Sequence, residues 1–231
     1  MDPRPDRATP PATAAARTYA LAFQAAPANG VRLLQRAVLD ALPPDARVLG
    51  ARGPTVIAVH RVAPDDDLRA TADLLRATIG EALGDGTLSV GIGGPRDRER
   101  PLRLIALHAE QAVRLGRALY GEGRVTAFGD LGPYCFVLGR PTEEIRSFCK
   151  AILGPLAEQE QRDELRTLEE FLRAHGSLNG VARALFLHRN TVRQRLKRIG
   201  ELTGADLEDA DQRVTLYLAV LGQNALNELA S

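Results

Sequence analysis

The sequence predicts an α+β protein: an N-terminal α/β sandwich followed by an all-α part that contains a helix-turn-helix. Three observations predict it. Strand-like and helix-like apolar patterns alternate from Tyr19 to Phe128, as a sheet with covering helices requires. After Gly129 the patterns are helical alone. Between Glu170 and Glu201 no acidic residue occurs, while Arg173, Arg183, Arg189, Arg193, Arg195, Lys197 and Arg198 crowd in.

The elements follow in order. Tyr19–Phe23 reads as a strand. Gly30 to Leu42 is a helix, because Val31, Leu34, Val38 and Leu42 recur at helical spacing, and Pro43–Pro44 ends it. Two short apolar runs, Arg47–Gly50 and Thr55–Val59, flank Arg52–Gly53–Pro54 and predict a hairpin. Asp67 to Leu83 is helical on Leu68, Ala72, Leu75 and Ile79, and the Asp65–Asp66–Asp67 run suits its positive N-terminal end. Thr87–Gly93 alternates like a strand, Leu102–Tyr120 is a long helix, and Arg124–Phe128 a last strand. Leu131–Leu138, Glu143–Leu153 and Arg162–Ala174 read as helices, with a final helix from Asp211 to about Leu229. The expected domains are a disordered tail over 1–17, the sheet domain over 18–139, a helical connector over 140–160 and the helix-turn-helix domain over 161–231.

Composition excludes several classes. The net charge of +1 rules out a global electrostatic attraction to nucleic acid, so any such attraction must be local. No run of about 18 apolar residues occurs, so no transmembrane helix is expected. Residues 1–17 lack the apolar stretch of a secretory signal and carry too little apolar surface to order themselves. Cys135 and Cys149 form no metal or redox motif. A disulfide is possible on number alone; free thiols in a reducing cytosol are the expectation. His60, His108 and His175 lack metal-ligand spacing, and no metal or other cofactor is expected.

The acid-free stretch carries the functional signal. Ser177 suits an N-cap, and Leu178, Ala182 and Leu185 suit the buried stripe of a first helix. In the second helix Val192, Leu196 and Ile199 fall on one side. Asn190, Gln194 and Lys197 point the other way, flanked by Arg193 and Arg198. An outward cationic face on the second helix of such a pair suits the DNA major groove. Arg grips the paired acceptors of guanine, and Asn or Gln pairs with adenine. Arg189, Asn190, Arg193 and Gln194, near the helix start, are the expected base readers, with His188 at the turn a further candidate. Lys197 and Arg198, a turn further on, are expected on the phosphate backbone. A charge run is by itself more often a solvated helix face; the preceding helix is what shifts the balance. One recognition helix covers few base pairs, so a homodimer on half-sites about one DNA turn apart is expected, closed or joined by the last helix through Val214, Tyr217, Leu218 and Leu221.

The stretch Ala182–Leu196, with Ile199–Gly204 and Leu207–Asp209, closely resembles the helix-turn-helix of the PucR/CdaR group of bacterial transcriptional regulators. It is also similar to the Fis-type motif, which shares the Arg–Asn–Thr–aliphatic–Arg core. That second resemblance implies base reading by His188, Arg189 and Arg193 and a phosphate contact by Thr191. Phe186 departs from many helix-turn-helix motifs, which carry Gly there. Ser89–Gly93 before a long helix, with Arg124–Gly132 after it, resembles the degenerate GGDEF-like domain that often precedes this motif. The resemblance implies a cytoplasmic, DNA-binding regulator whose sheet domain serves dimerisation or signal relay. Members commonly carry a sensory domain further upstream; none is expected before Tyr19, and the effector is unknown.

Catalytic chemistry is not expected. A working GGDEF cyclase needs carboxylates for magnesium, yet the hairpin reads Gly50–Ala51–Arg52–Gly53–Pro54–Thr55 without an acid. Gly91–Ile92–Gly93–Gly94 lacks the Lys and Ser or Thr of a P-loop and is expected to be a turn. Two alternatives remain: a nucleotide-binding or nucleotide-processing protein with an accessory helical tail, resting on the sheet topology and that Gly-rich stretch, and a helical adaptor for an acidic protein.

Overall fold

The computed structural model describes residues 15–158 and 161–230. The tail expected over 1–17 falls outside the described residues as far as residue 14, and Arg17 already opens the first strand. The N-terminal half runs β1 (Arg17–Gln24), α1 (Gly30–Ala41), β2 (Ala46–Arg52), β3 (Thr55–Val62), α2 (Leu68–Leu83), β4 (Ser89–Gly93), α3 (Leu102–Tyr120) and β5 (Val125–Ala127). The five strands stand in the order β2-β3-β1-β4-β5. β1 lies at the centre, antiparallel to both β3 and β4, and β5 runs parallel to β4 across the α3 crossover. The expected hairpin is present, with a register shift between Val48 and Gly50.

Alternation along β1 sorts the two faces. Leu21 and Phe23 join Leu34 and Val38 of α1 and Ala72, Leu75 and Ile79 of α2 in one core. Ala20 and Ala22 face the other way, onto Ile105, Ala109 and Val113 of α3. Small side chains on that second face let α3 lie close to the sheet. A Cβ on Gly91 would stand 2.1 Å from the Ala109 carbonyl oxygen, and one on Gly93 2.0 Å from that of Ile105. The stretch expected as a turn at Gly91–Gly94 is therefore largely β4, and its glycines seat a helix rather than a phosphate.

Polar groups fix the ends of these elements. Asp67 caps α2 as expected, its carboxylate accepting from the Arg69 and Ala70 amides. Asp85, buried, accepts from the Ala26 amide, Asn29, and both the amide and hydroxyl of Thr87. Burial pushes its carboxyl up, but these hydrogen bonds, led by the Thr87 hydroxyl, outweigh it and hold the pKa below the usual value. Arg117 of α3 donates to the Gln24 and Thr87 carbonyls and pairs with Glu122, tying the helix end to β1 and β4.

The C-terminal half is helical: α4 (Thr142–Leu153), α5 (Arg162–Arg173), α6 (Leu178–Leu185), α7 (Arg189–Thr203) and α8 (Ala210–Ala230). Leu131–Leu138, expected as a helix, is instead the end of a 3-10 segment over Phe128–Phe136 and the two residues after it. The segment is broken at Gly132, whose φ of 59° precedes Pro133; neither residue supports a continuing α-helix. α4, expected as part of a connector, packs its Ile145, Cys149 and Leu153 into one core with Leu168, Phe171, Val192, Ile199 and Val220. A Cβ on Gly222 would come within 2.7 Å of Cys149 Sγ, so α4 and α8 meet closely. Leu115 of α3 belongs to this same core. One helix thus serves the sheet along one part of its length and the helical half along another. Both thiols are free, and burial pushes that of Cys149 up to about 11.

Gly93→Ala is expected to lower stability by about 1–3 kcal/mol or more, because the methyl group meets rigid backbone rather than a movable side chain. Urea denaturation checks it; a change below about 0.5 kcal/mol would show that α3 can move off the sheet freely.

Candidate nucleic-acid interface

α6 and α7 form the predicted pair. The Ser177 hydroxyl caps α6, accepting from the Gly180 amide at 3.1 Å. The buried anchor of α6 is Val181, fully inaccessible, whereas Leu178, Ala182 and Leu185, expected as its stripe, are partly buried around it. A Cβ on Gly180 would sit 3.2 Å from that of Ala174, so this glycine also has a packing role.

The chain then turns through Phe186, which adopts the left-handed region at φ 55° and ψ 40°. The Leu187 amide donates to the Ala182 carbonyl at 2.9 Å, closing the end of α6. The Phe186 ring is 96% exposed. The fold thus accepts αL strain at a bulky residue with no burial of the ring in return.

His188 caps α7, its Nδ1 accepting from the Asn190 amide at 3.2 Å; the residue remains exposed. Val192, Leu196 and Ile199 are buried, as the periodicity predicts. Arg189, Asn190, Arg193, Gln194 and Lys197 are exposed, and Thr191 is half-buried. Asn190, Arg193, Gln194 and Lys197, at helical spacing, share one outward face, on which Arg193 donates to Asn190 Oδ1 at 3.3 Å. Lys197 approaches Glu201 only at 3.9 Å and in the open, so that pair adds little.

Two arginines of the basic run approach acidic residues of α5. Arg195 pairs with Asp163 at 2.8 Å and donates to the buried Thr167, clamping α7 onto α5. Arg198, expected on a phosphate, stands 3.7 Å from Glu164 of α5 but stays more than half exposed. Neither pairing is legible from the basic run alone, because the partners lie on another helix.

Other polar and aromatic side chains lie elsewhere. His108 stacks on Phe128 at a centroid distance of 3.9 Å, and burial, with nearby Arg100, pushes its pKa down. Tyr134 is buried in the helical core. In α8 the buried hydrophobic side chains are those of Leu216, Ala219, Val220, Leu221, Ala225 and Leu226; Val214 is exposed, and Tyr217 and Leu218 are partly buried. At the hairpin tip Arg52 pairs with Glu110 of α3. Among the described residues no cluster of His, Cys, Asp or Glu has the arrangement of a metal site, and no helix is long and apolar enough to cross a membrane.

Residues 165–221 match the family model described as the PucR C-terminal helix-turn-helix domain. The chain is 36% identical over 89 residues to the purine catabolism regulatory protein of Bacillus subtilis, covering 38% of this chain and 17% of that protein. It is 33% identical over 160 residues to an uncharacterized protein from the pkwA 5' region of Thermomonospora curvata, covering 67% of this chain and 76% of the relative. Over 55 residues it is 47% identical to the carbohydrate diacid regulator of Escherichia coli, covering 24% of this chain and 14% of that regulator. The chain therefore spans less than a fifth of the two named regulators.

Phe186→Gly is expected to raise stability by roughly 1 kcal/mol or less, since glycine relieves the left-handed strain and no packing is lost. A loss of stability in chemical denaturation would show that the ring is held against the protein.

Proposed function

The chain belongs to the PucR/CdaR family of transcriptional regulators, and from that premise we propose that it binds double-stranded DNA by laying α7 in the major groove and so regulates transcription. The observation that carries this reading is the outward face of α7. From Arg189 to Arg198 it presents guanidinium, amide and ammonium groups and no carboxylate, Glu201 following only in the last turn, on a helix whose opposite side is anchored in the core. Arg189, Asn190, Arg193 and Gln194 are the base readers in this proposal, with His188 offering its exposed ring edge. Thr191, Lys197 and Arg198 serve the phosphates. Arg198 must share itself between Glu164 and DNA, which lowers its contribution.

The sheet domain, in this reading, is a degenerate GGDEF-like module for dimerisation or signal relay, and the protein acts in the cytoplasm as a homodimer on paired half-sites. Two observations support a silent module. Magnesium calls for oxygen ligands, yet the hairpin tip offers Arg52, already paired with Glu110. The Gly-rich stretch on which a nucleotide-binding alternative rested lies under α3.

Arg193→Ala is expected to weaken the specific site by about 1–3 kcal/mol and relax one base position, whereas Lys197→Ala weakens all sequences alike and lowers the salt slope by about one. Titration of specific and random duplexes across a salt series reads both effects. Equal losses on the two duplexes for Arg193→Ala would remove it from the base readers.

A further inference from the structure

We propose that the end of the sheet remote from the hairpin tip is a binding site for a small molecule bearing two or more negative charges, carboxylate or phosphate. A cavity of about 260 Å3 opens there. Three guanidinium side chains from separate elements line it: Arg47 of β2, Arg61 of β3 and Arg96 of the segment between β4 and α3. Thr18 of β1 and Leu102, the first residue of α3, also line it. Strand register fixes the location. Thr18 pairs with Arg61, and Arg47 with Val59, whereas the hairpin turn lies at the opposite end, where Arg52 pairs with Thr55. The cavity is thus distinct from the hairpin tip discussed above.

The state of the arginines points to a ligand. None of the three has an ion pair or side-chain hydrogen bond among the described residues. The same domain pairs other arginines with acids, as in Arg36–Asp40, Arg69–Asp130 and Arg100–Asp97. Like charges gathered around one concavity repel, and an anion relieves that repulsion. Among the described residues the one carboxylate in the lining, Asp45, stands 3.5 Å from Nδ1 of His60. His60 also lines the cavity; it is buried, and that nitrogen makes no hydrogen bond. Among the described residues, three cations against one carboxylate leave the cavity positive. Guanidinium groups match the planar oxygens of carboxylates and phosphates with paired hydrogen bonds. In the first turn of α3 the Leu104 and Ile105 amides bond to the Pro101 carbonyl, and no side chain caps the amide of Leu102, which lines the cavity. A cavity of this size suits a compact polyanion better than a polymer. The inference stands on the sheet domain alone and does not rest on DNA binding.

Calorimetric titration of the full chain, at constant ionic strength, with citrate, pyrophosphate and inorganic phosphate tests it. Citrate or pyrophosphate is expected to bind saturably and more tightly than inorganic phosphate; which of the two binds better tells a carboxylate site from a phosphate site. Arg47→Ala, Arg61→Ala and Arg96→Ala should each weaken that binding about tenfold, with Arg36→Ala unchanged. Thermal melts establish that each variant is folded, which the lack of intramolecular partners for these side chains favours. No saturable binding of any of the three anions to the unmodified chain would overturn the proposal. Unchanged affinity in an Arg47→Ala/Arg61→Ala variant would do so too. So would loss of random-duplex binding in these variants with anion binding intact, which assigns the patch to nucleic acid.

Discussion

The orientation of α7 depends on keeping Val192, Leu196 and Ile199 away from water. Burying three aliphatic side chains contributes on the order of 1.5–3 kcal/mol each. The charge pairs that also bear on α7 are weaker: Lys197–Glu201 is open to solvent, and such pairs contribute at most about 1 kcal/mol. Hydrophobic burial therefore decides which way the helix faces, and the Arg195–Asp163–Thr167 clamp then fixes its rotation on α5. The polar face is exposed as a consequence, and its composition can vary without disturbing the anchor. That separation lets one scaffold carry different side chains on its outward face.

A second constraint links the two halves. α3 rests its backbone on the glycines of β4 through Ile105 and Ala109, and two turns further on gives Leu115 to the helical core. A shift of α3 on the sheet would therefore be felt among the helices that hold α7. The cationic cavity lies at the start of the same helix, about 20 Å from Leu115 at the rise of an α-helix.

Much of this was legible in one dimension. The bounds of α3, the hairpin, the Asp67 and Ser177 caps and the buried side of α7 follow from periodicity and end chemistry, which are local. What was not legible involves partners distant in sequence or ambiguous residue types. Glycines at 91 and 93 look alike whether they serve a turn or admit a helix; only the position of α3 decides. α6 is eight residues long, too short for its period to show that Val181, rather than Leu178 or Leu185, is the inward anchor. Arg195 reads as one more cation of the basic run until Asp163, 32 residues away, is placed beside it. The three cavity arginines are scattered from 47 to 96 and carry no pattern at all; strand order brings them together.

The most direct test of the central claim is selection of bound sequences from a random duplex pool by the unmodified chain and by a Gln194→Ala variant. The account predicts a short recurring sequence for the first and a change at one of its bases for the second. A pool that remains random at low salt, or a recovered sequence indifferent to substitution at Arg189, Asn190, Arg193 and Gln194 in turn, would contradict it.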